Sequence, residues 1–283
     1  MTRLFISVFV ASLISCSSQS ASTSNDWRTE SSESASIRVV LASEVEWEAL
    51  NPARGEMSPR AGTLWGDRHG EVSTGFLVKF ADGFSSPPHV HNVTYRAVVI
   101  EGSIHNDDPK AANMWMGSGS FWTQPKGEMH ITAAKGASNV ALVEIENGPY
   151  LVRPPSQAFD SGERPVNLDA SNVVWLPLSQ QSEELDDVSV AYLWGRFEAD
   201  HWSGSFIKVP PQFAGKINAS CTVFHGVVIQ GNLIYHAGQT KHLTPGSYFG
   251  AQGPSVHRIT SSSDRETVIY IRTNGPYQLQ KSL

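Results

Sequence analysis

The sequence predicts an all-β protein made of two tandem jelly-roll barrels. Its 23 glycines and 16 prolines indicate many turns, and the body of the chain shows little of the periodicity that is typical of helices. Short apolar segments bounded by turn residues recur at a spacing that is typical of small barrels and jelly rolls. The body of the chain also repeats itself, so each half is expected to form one barrel.

The predicted strands fall at matching places in the two halves. In the first half they cover residues 75–80, 95–101, 119–123 and 139–146. In the second half they cover residues 205–210, 224–230, 248–251 and 267–272. The segments contain β-branched or aromatic residues and have turn residues close to their ends, which supports the assignment.

The repeat itself is visible in short identical segments. Two tripeptides return 129 residues later, Leu64-Trp65-Gly66 as Leu193-Trp194-Gly195 and Val98-Val99-Ile100 as Val227-Val228-Ile229. After a loop that is two residues shorter in the second copy, Gly119-Ser120 matches Gly246-Ser247 and His130 matches His257. We therefore expect barrels over 37–152 and 168–283, joined by a linker over 153–167 that is rich in Pro, Ser and Gly.

The N-terminus has the pattern of an export signal. Arg3 precedes an apolar run that is too short to span a bilayer, and Leu13-Ile14-Ser15-Cys16 resembles a bacterial lipobox. The resemblance implies a signal peptide over 1–16, with Cys16 lipidated, and a Ser-rich disordered tether over 17–36. Ser17 favours anchoring at the outer membrane, so the expected location is the bacterial cell envelope, facing the periplasm. An ordinary secretory signal with an incidental cysteine is the alternative.

Charge and cysteine content limit the partners. The net charge of −6 and the pI near 5.9 leave no basic stripe for phosphate contacts, which argues against nucleic acid. Cys221 is the single cysteine of the body, so it has no partner for an intramolecular disulfide. We expect it to be a small buried core residue.

Two spaced patterns in the first half bring together three histidines. The first is Gly83-x5-His89-x-His91-x3-Tyr95-x6-Gly102, and the second is Gly119-x5-Pro125-x-Gly127-x2-His130. His89 and His91 alternate on an extended segment, so both rings leave the same face, and Tyr95 follows on that face if the pleat continues. A turn at Pro125 and Gly127 would return His130 from a separate strand. Three neutral imidazoles suit a divalent transition metal and leave open positions for substrate.

These patterns resemble the paired motifs of the cupin superfamily, in which a glutamate usually stands at the place of Tyr95 and an asparagine at the place of Ala134. Because the match covers both repeats, the chain looks like a bicupin. Runs such as Phe84-Ser85-Ser86-Pro87-Pro88-His89 resemble the cupin-like family known as domain of unknown function 4437. With Tyr95 in place of the carboxylate, the site is similar to three-histidine cupin dioxygenases that bind ferrous iron. The resemblance implies one divalent metal, with Fe, Ni, Zn and Mn all open, and Tyr95 as a fourth ligand, a hydrogen-bond donor or an acid/base.

The second half serves as an internal control. At the offset of the repeat, Asn218, Ser220 and Phe224 stand where the first half has His89, His91 and Tyr95. Only His257 is retained, so the second barrel is expected to hold no metal.

Other side chains are weaker candidates. His105 is interpreted mainly as a polar strand residue, Glu144 and Glu128 as acids that would contact a ligand only indirectly, and Trp65, Trp115 and Trp122 mainly as packing residues. Two functions stay open. The first is an enzyme that acts on a small oxygen-bearing substrate, either dioxygenase-like or a lyase or isomerase working through Lewis-acid polarisation. The alternative is an envelope-anchored binding or sensing protein in which the metal is structural or a ligand handle. A homodimer also stays open.

Overall fold

The computed structural model describes residues 35–180 and 182–282 of the chain. The predicted signal peptide, Cys16 and the tether up to residue 34 lie outside the described residues. The regular structure in the described ranges consists of β-strands and six short 3-10 turns, which confirms the all-β prediction. None of these turns is long and apolar enough to cross a membrane.

The first half of the chain contributes nine strands and two 3-10 turns. The turns are Ala42–Glu44 and Pro52–Met57. The strands are β1 (Ser36–Val40), β2 (Glu48–Ala49), β3 (Arg60–Trp65), β4 (Thr74–Phe80), β5 (Val90–His91), β6 (Tyr95–Asp107), β7 (Phe121–Gln124), β8 (Ile131–Ile145) and β9 (Val152–Arg153).

The second half contributes twelve strands and four 3-10 turns. The turns are Pro155–Gln157, Ala170–Asn172, Leu178–Gln180 and Glu183–Leu185. The strands are β10 (Val166–Leu168), β11 (Leu176–Pro177), β12 (Ser189–Gly195), β13 (Ser203–Val209), β14 (Ala214–Ala219), β15 (Val223–Gln230), β16 (Leu233–Ala237), β17 (Gln239–Leu243), β18 (Tyr248–Gln252), β19 (Ser255–Ser261), β20 (Thr267–Thr273) and β21 (Tyr277–Lys281).

Two seven-stranded antiparallel sheets dominate the fold, and each contains one strand from the other half. The first sheet has the order β10-β7-β6-β8-β4-β3-β2, and the second has the order β1-β18-β15-β20-β13-β12-β11. The leading strand of each repeat therefore pairs at the edge of the opposite sheet, β1 with β18 and β10 with β7. The predicted boundaries of the two barrels follow the repeat along the sequence, but the strand pairing crosses them.

All eight predicted strands coincide with strands of the structure, and two of them are much longer than predicted. Strands β6 and β8 run for 13 and 15 residues, because they continue through two irregularities in their pairing near Glu101. Their outer parts cover the end of the first barrel where the histidines lie. The remaining sheets are smaller, with the orders β17-β16-β19-β14-β21 in the second half and β5-β9 in the first.

The two halves share a local irregularity that supports the duplication. The pairing of β3 with β4 shifts between Thr63 and Trp65, and the pairing of β12 with β13 shifts at the equivalent place, beside Trp194. In each half the indole lies against a glycine of the neighbouring strand, so that a Cβ at Gly75 or Gly204 would fall within 2.1 or 1.9 Å of the ring. Glycine is therefore required where the tryptophan crosses its neighbour.

Three apolar clusters form the core. One fills the first barrel and one fills the second, which includes the buried Cys221 as predicted. The third cluster takes residues from both halves, among them Trp65 and Leu77 from the first and Phe206 and Tyr248 from the second. The two large sheets therefore pack face to face, because burial of this shared apolar surface is favourable.

A polar network lies inside this shared core. Arg272 of β20 and Glu144 of β8 are each 1% exposed, and their Nη1 and Oε1 atoms are 3.3 Å apart. The Tyr270 hydroxyl donates to the same carboxylate oxygen at 2.8 Å and accepts from Trp194 Nε1 at 2.9 Å. The two halves are thus joined by a buried ion pair as well as by apolar contacts.

His225 lies in the same interface and makes stability depend on pH. Its ring stacks on Trp65 with 4.3 Å between centroids, and its Nδ1 is 2.9 Å from the Tyr248 hydroxyl. Burial, with a smaller effect of Arg272, lowers the pKa of His225 to about 3. Between the unfolded pKa of about 6.5 and this folded value, only the unfolded state binds the proton, so stability is complete above the first and is lost as pH falls toward the second.

We expect His225→Gln to remove part of this pH dependence. The unfolding free energy of the wild type should fall by about 2 kcal/mol through this one histidine between about pH 7.5 and about pH 5. Urea unfolding at the two pH values measures the difference, and the variant should show a fall that is smaller by that amount. His242→Gln, at an exposed position, should leave the fall unchanged. Equal pH dependence in the wild type and the His225 variant would contradict the assignment.

Candidate metal centre

Backbone pairing places the first and third histidines side by side. The amide of His89 donates to the carbonyl of His130 at 3.0 Å, and the amide of His130 donates to the carbonyl of His89 at 3.0 Å. Residues that exchange both hydrogen bonds across antiparallel segments project their side chains to the same face. The two ring centroids are accordingly 4.3 Å apart.

His91 joins the pair from the next inward-facing position. Its ring centroid is 5.0 Å from that of His89 and 5.2 Å from that of His130. Its carbonyl accepts from the amide of Gly127 at 2.8 Å, which ties it to the predicted turn. Gly127 has φ +76°, and a Cβ there would lie 2.6 Å from the Phe159 carbonyl, so the turn needs glycine.

Hydrogen bonds made by the Nδ1 atoms set the orientation of all three rings. The Nδ1 atoms donate to backbone carbonyls, His89 to Pro87 at 3.0 Å, His91 to Leu151 at 3.0 Å and His130 to Glu128 at 3.1 Å. Each Nε2 therefore carries a lone pair, and the three candidate ligand atoms lie within 4.8 Å of one another. Three converging lone pairs repel one another unless a cation lies between them. The donor set fits a divalent transition metal, with ring orientation set by carbonyl acceptors as is usual for metal-binding histidines.

The three imidazoles are held neutral. Burial lowers the pKa of His89, lowers that of His91 far below its ordinary value, and lowers that of His130 to about 3. Repulsion between neighbouring rings adds to the effect at His91 and His130. Because a metal needs the unprotonated ring, these histidines are ready to bind at neutral pH without losing protons.

Tyr95 lies beside the three histidines, on the inward face as predicted. Its hydroxyl oxygen is 3.4 Å from His130 Nε2 and donates to Asn106 Oδ1 at 2.9 Å. Asn106 in turn accepts from Thr132 at 2.8 Å and donates to Gln124 at 2.9 Å. Burial raises the pKa of Tyr95 well above its ordinary value, although nearby donors oppose the shift. The side chain is thus a neutral phenol whose oxygen lone pairs stay free toward the histidines.

Tyr150 is a second phenol at the site, and the sequence analysis missed it. Its ring stacks on His91 with 4.4 Å between centroids, and its hydroxyl is 3.2 Å from His91 Nε2. Burial raises the pKa of Tyr150 well above its ordinary value, and Tyr95 adds to the effect. Asn92 holds the segment in place by bonding the Pro149 carbonyl and the Leu151 amide, each at 2.9 Å.

A cavity of about 270 Å³ opens onto His89 and His91. His89, His91, Tyr95 and Tyr150 form its polar inner end, and Asn51 and Arg54 from the 3-10 turn near residue 54 lie at another part of its wall. The apolar lining includes Val78, Phe80, Phe84, Trp122 and Val143. The volume suits a small molecule, and His89 and His91 are accessible from it, whereas His130 is fully buried and is not among the lining residues.

The weaker candidates lie elsewhere. His105 alternates with the inward-facing Asn106, is buried, and places its Nδ1 3.2 Å from the Met114 carbonyl, so it does not reach the histidines. Glu144 pairs with Arg272 in the interface, and Glu128 contacts the site through its backbone carbonyl rather than its carboxylate. Trp65 packs between the two halves, Trp115 lies near His105, and Trp122 lines the cavity.

The second half lacks the ligand set, although strand pairing corrects which residues are equivalent. His257 faces Ile217 across β14 and β19, as His130 faces His89, so Ile217 rather than Asn218 occupies the place of His89. Both nitrogens of His257 are used within the protein, Nδ1 2.7 Å from the Tyr235 hydroxyl and Nε2 3.0 Å from the Ser255 hydroxyl. Phe224 stacks on its ring at 4.4 Å. This histidine is a satisfied core residue.

Comparison with known proteins identifies one family and several solved structures that share one fold. The profile of a family described as domain of unknown function (DUF4437) matches residues 38–280. A search of curated proteins finds no match.

Solved structures that resemble the chain are cupin-like. A protein from Nostoc punctiforme PCC 73102, provisionally described as a dioxygenase, has a TM-score of 0.63 and 14% identity, with 84% of this chain and 82% of that chain covered. The oxalate decarboxylase of Lactobacillus farciminis has a TM-score of 0.52 and 11% identity over 86% and 88%. Protein YlbA of E. coli has a TM-score of 0.57 and 12% identity over 84% and 90%. At these identities the likeness establishes the fold, two tandem jelly-roll barrels.

Proposed function

Since the chain belongs to the DUF4437 family of cupin-like proteins, we propose that it is a metal-dependent enzyme acting on a small oxygen-bearing substrate at His89, His91 and His130. The observation that carries the proposal is the convergence of three unprotonated Nε2 atoms, two of which belong to residues that line a cavity. A structural metal site has four protein ligands and no access, whereas three ligands beside a cavity leave positions for substrate.

A bound divalent metal would supply Lewis-acid polarisation of a substrate oxygen or, with iron, activation of dioxygen. Iron, nickel, zinc and manganese are all compatible with three imidazoles, and the missing carboxylate favours the iron-type three-histidine centre. The reaction class is dioxygenase-like, or a lyase or isomerase that needs only a polarised carbonyl.

The protein's own residues would orient and isolate the substrate. The carbonyls of Pro87, Leu151 and Glu128 hold the three rings in position. The hydroxyls of Tyr95 and Tyr150 lie within 3.4 and 3.2 Å of ligand nitrogens, so either can hydrogen-bond a substrate oxygen at the centre. Tyr95 is also the candidate acid/base, because its hydroxyl lies 3.4 Å from His130 Nε2, and Asn106 and Gln124 hold that hydroxyl in position.

The envelope location belongs to the same proposal. The lipobox-like segment ending at Cys16 would tether the barrels to the bacterial outer membrane, on the periplasmic side.

We expect the cobalt-substituted protein to respond to azide. An anion that enters an open metal position changes coordination number, so the visible absorption bands of Co²⁺ should shift and saturate with a single binding constant. An unchanged spectrum at high azide would indicate a closed site. That result would contradict the enzyme and favour an envelope-anchored binding or sensing protein with a structural metal.

A further inference from the structure

The cavity has an unbalanced charge. Its lining contains no aspartate or glutamate among the described residues, and the guanidinium of Arg54 is its one formally charged group. A divalent metal therefore brings two positive charges that no protein carboxylate offsets, and Arg54 adds a third. Uncompensated charge in a cavity favours a ligand of opposite sign.

Arg54 is held in place without a carboxylate partner. One Nη atom donates to the Ser85 carbonyl at 3.0 Å, and the guanidinium carbon lies 4.8 Å above the ring of Phe84. No ion pair to Arg54 occurs in the part of the chain that the structure describes. The guanidinium group is thus held by one hydrogen bond and by its position over the Phe84 ring, and its other N–H groups stay available. A positioned guanidinium with free donors is a typical carboxylate-binding group.

The rest of the cavity predicts what lies between the two polar parts. Phe80, Phe84, Val78 and Val143 form apolar walls. Trp122 is 1% exposed and also lines the cavity. The apolar body of a ligand would therefore fit between the two polar parts.

We propose that the ligand of this cavity is a small monocarboxylate with an aromatic or branched aliphatic body, whose carboxylate is bound by Arg54 and whose second oxygen faces the three histidines. Only the part of this proposal that concerns the second oxygen of the ligand rests on the proposed function. Binding of the carboxylate by Arg54 depends on the protein alone, so it can be measured without metal and without turnover. Arg54 is in this assignment a specificity-determining residue.

The test uses 4-fluorobenzoate and the neutral 4-fluorobenzamide as probes, followed by ¹⁹F NMR titration of the full chain. Wild type, Arg54→Met, Arg54→Lys and Arg258→Met are compared, each free of metal and loaded with Zn²⁺, with zinc content measured on the same samples. Methionine keeps an unbranched side chain without the charge and the N–H donors, and Arg258 is an exposed arginine of the second barrel.

The proposal expects 4-fluorobenzoate to bind the wild type in both metal states and to lose about tenfold to hundredfold in affinity in Arg54→Met, the range for one charge-assisted contact. Lysine should restore part of the loss, Arg258→Met should equal the wild type, and 4-fluorobenzamide should be insensitive to residue 54. Equal binding of 4-fluorobenzoate by wild type and Arg54→Met would overturn the proposal, as would equal affinity for the two probes. Arg54-dependent binding in samples that never retain zinc would support this carboxylate site while contradicting the metal enzyme.

Discussion

Replacing His91 with alanine is expected to lower the metal content of the purified chain from about one ion to near zero, with the fold retained. The ring centroid of His91 lies 5.0 and 5.2 Å from those of the other two histidines, and its loss leaves only two imidazoles at the site. Two imidazoles bind a divalent ion far more weakly than three. Elemental analysis after dialysis measures the stoichiometry, and circular dichroism reports whether the β-structure is kept.

His257→Ala provides the matched control in the second barrel. Both nitrogens of His257 are hydrogen-bonded to protein hydroxyls, so its loss should leave the metal content at the wild-type value. A wild-type stoichiometry near two would contradict a ligand-free second barrel. A stoichiometry near zero in the wild type, with every candidate metal supplied, would refute the metal centre itself.

Replacing Arg272 with methionine is expected to lower the free energy of unfolding by about 3–5 kcal/mol. Glu144 is 1% exposed in the wild type. In the variant its carboxylate keeps the hydrogen bond from the Tyr270 hydroxyl but has no cation beside it. The cost of a buried charge without its partner exceeds the value of the intact pair, and this explains the size of the effect. Urea unfolding at neutral pH measures the change.

Two further variants separate charge from packing. The double variant Glu144→Gln with Arg272→Met removes both charges, and it should recover a large part of the lost stability. The Glu146 side chain is 54% exposed and pairs with Arg96. Glu146→Gln breaks this pair and should cost about 0–1 kcal/mol. A double variant as unstable as Arg272→Met alone would show that lost packing, rather than the unpaired carboxylate, causes the effect.

The sequence was sufficient to predict that His89 and His91 share a face because their spacing is local, whereas His130 was assigned to the same site through the resemblance of the two motifs to those of the cupin superfamily. His89 and His91 alternate along an extended segment, and Gly127 marks the turn that brings back His130. Both devices act over a few residues, so they can be read without a structure. The inward face of Tyr95 follows from the same alternation.

Contacts between distant segments were not predictable in this way. Tyr150 belongs to the segment Asn147–Tyr150, which recurs as Asn274–Tyr277 in the half without ligands, so nothing in the sequence indicated that it belongs to the site. Arg54 reaches the cavity from a 3-10 turn that carries no motif. The same limit applies to the predicted equivalence of Asn218 with His89. The second half has one more residue than the first between the equivalents of His91 and Tyr95, and only the strand pairing shows this.

The exchange of leading strands explains why a barrel without ligands is still present. Strand β10 closes the edge of the first sheet beside β7, which carries Gln124 of the Tyr95 hydrogen-bond chain. Strand β1 closes the edge of the second sheet in return. A gene encoding either repeat alone would produce a sheet with an open edge and an uncovered apolar face. After duplication, selection could therefore relax on the metal ligands of one copy, whereas deleting that copy would have removed part of the other.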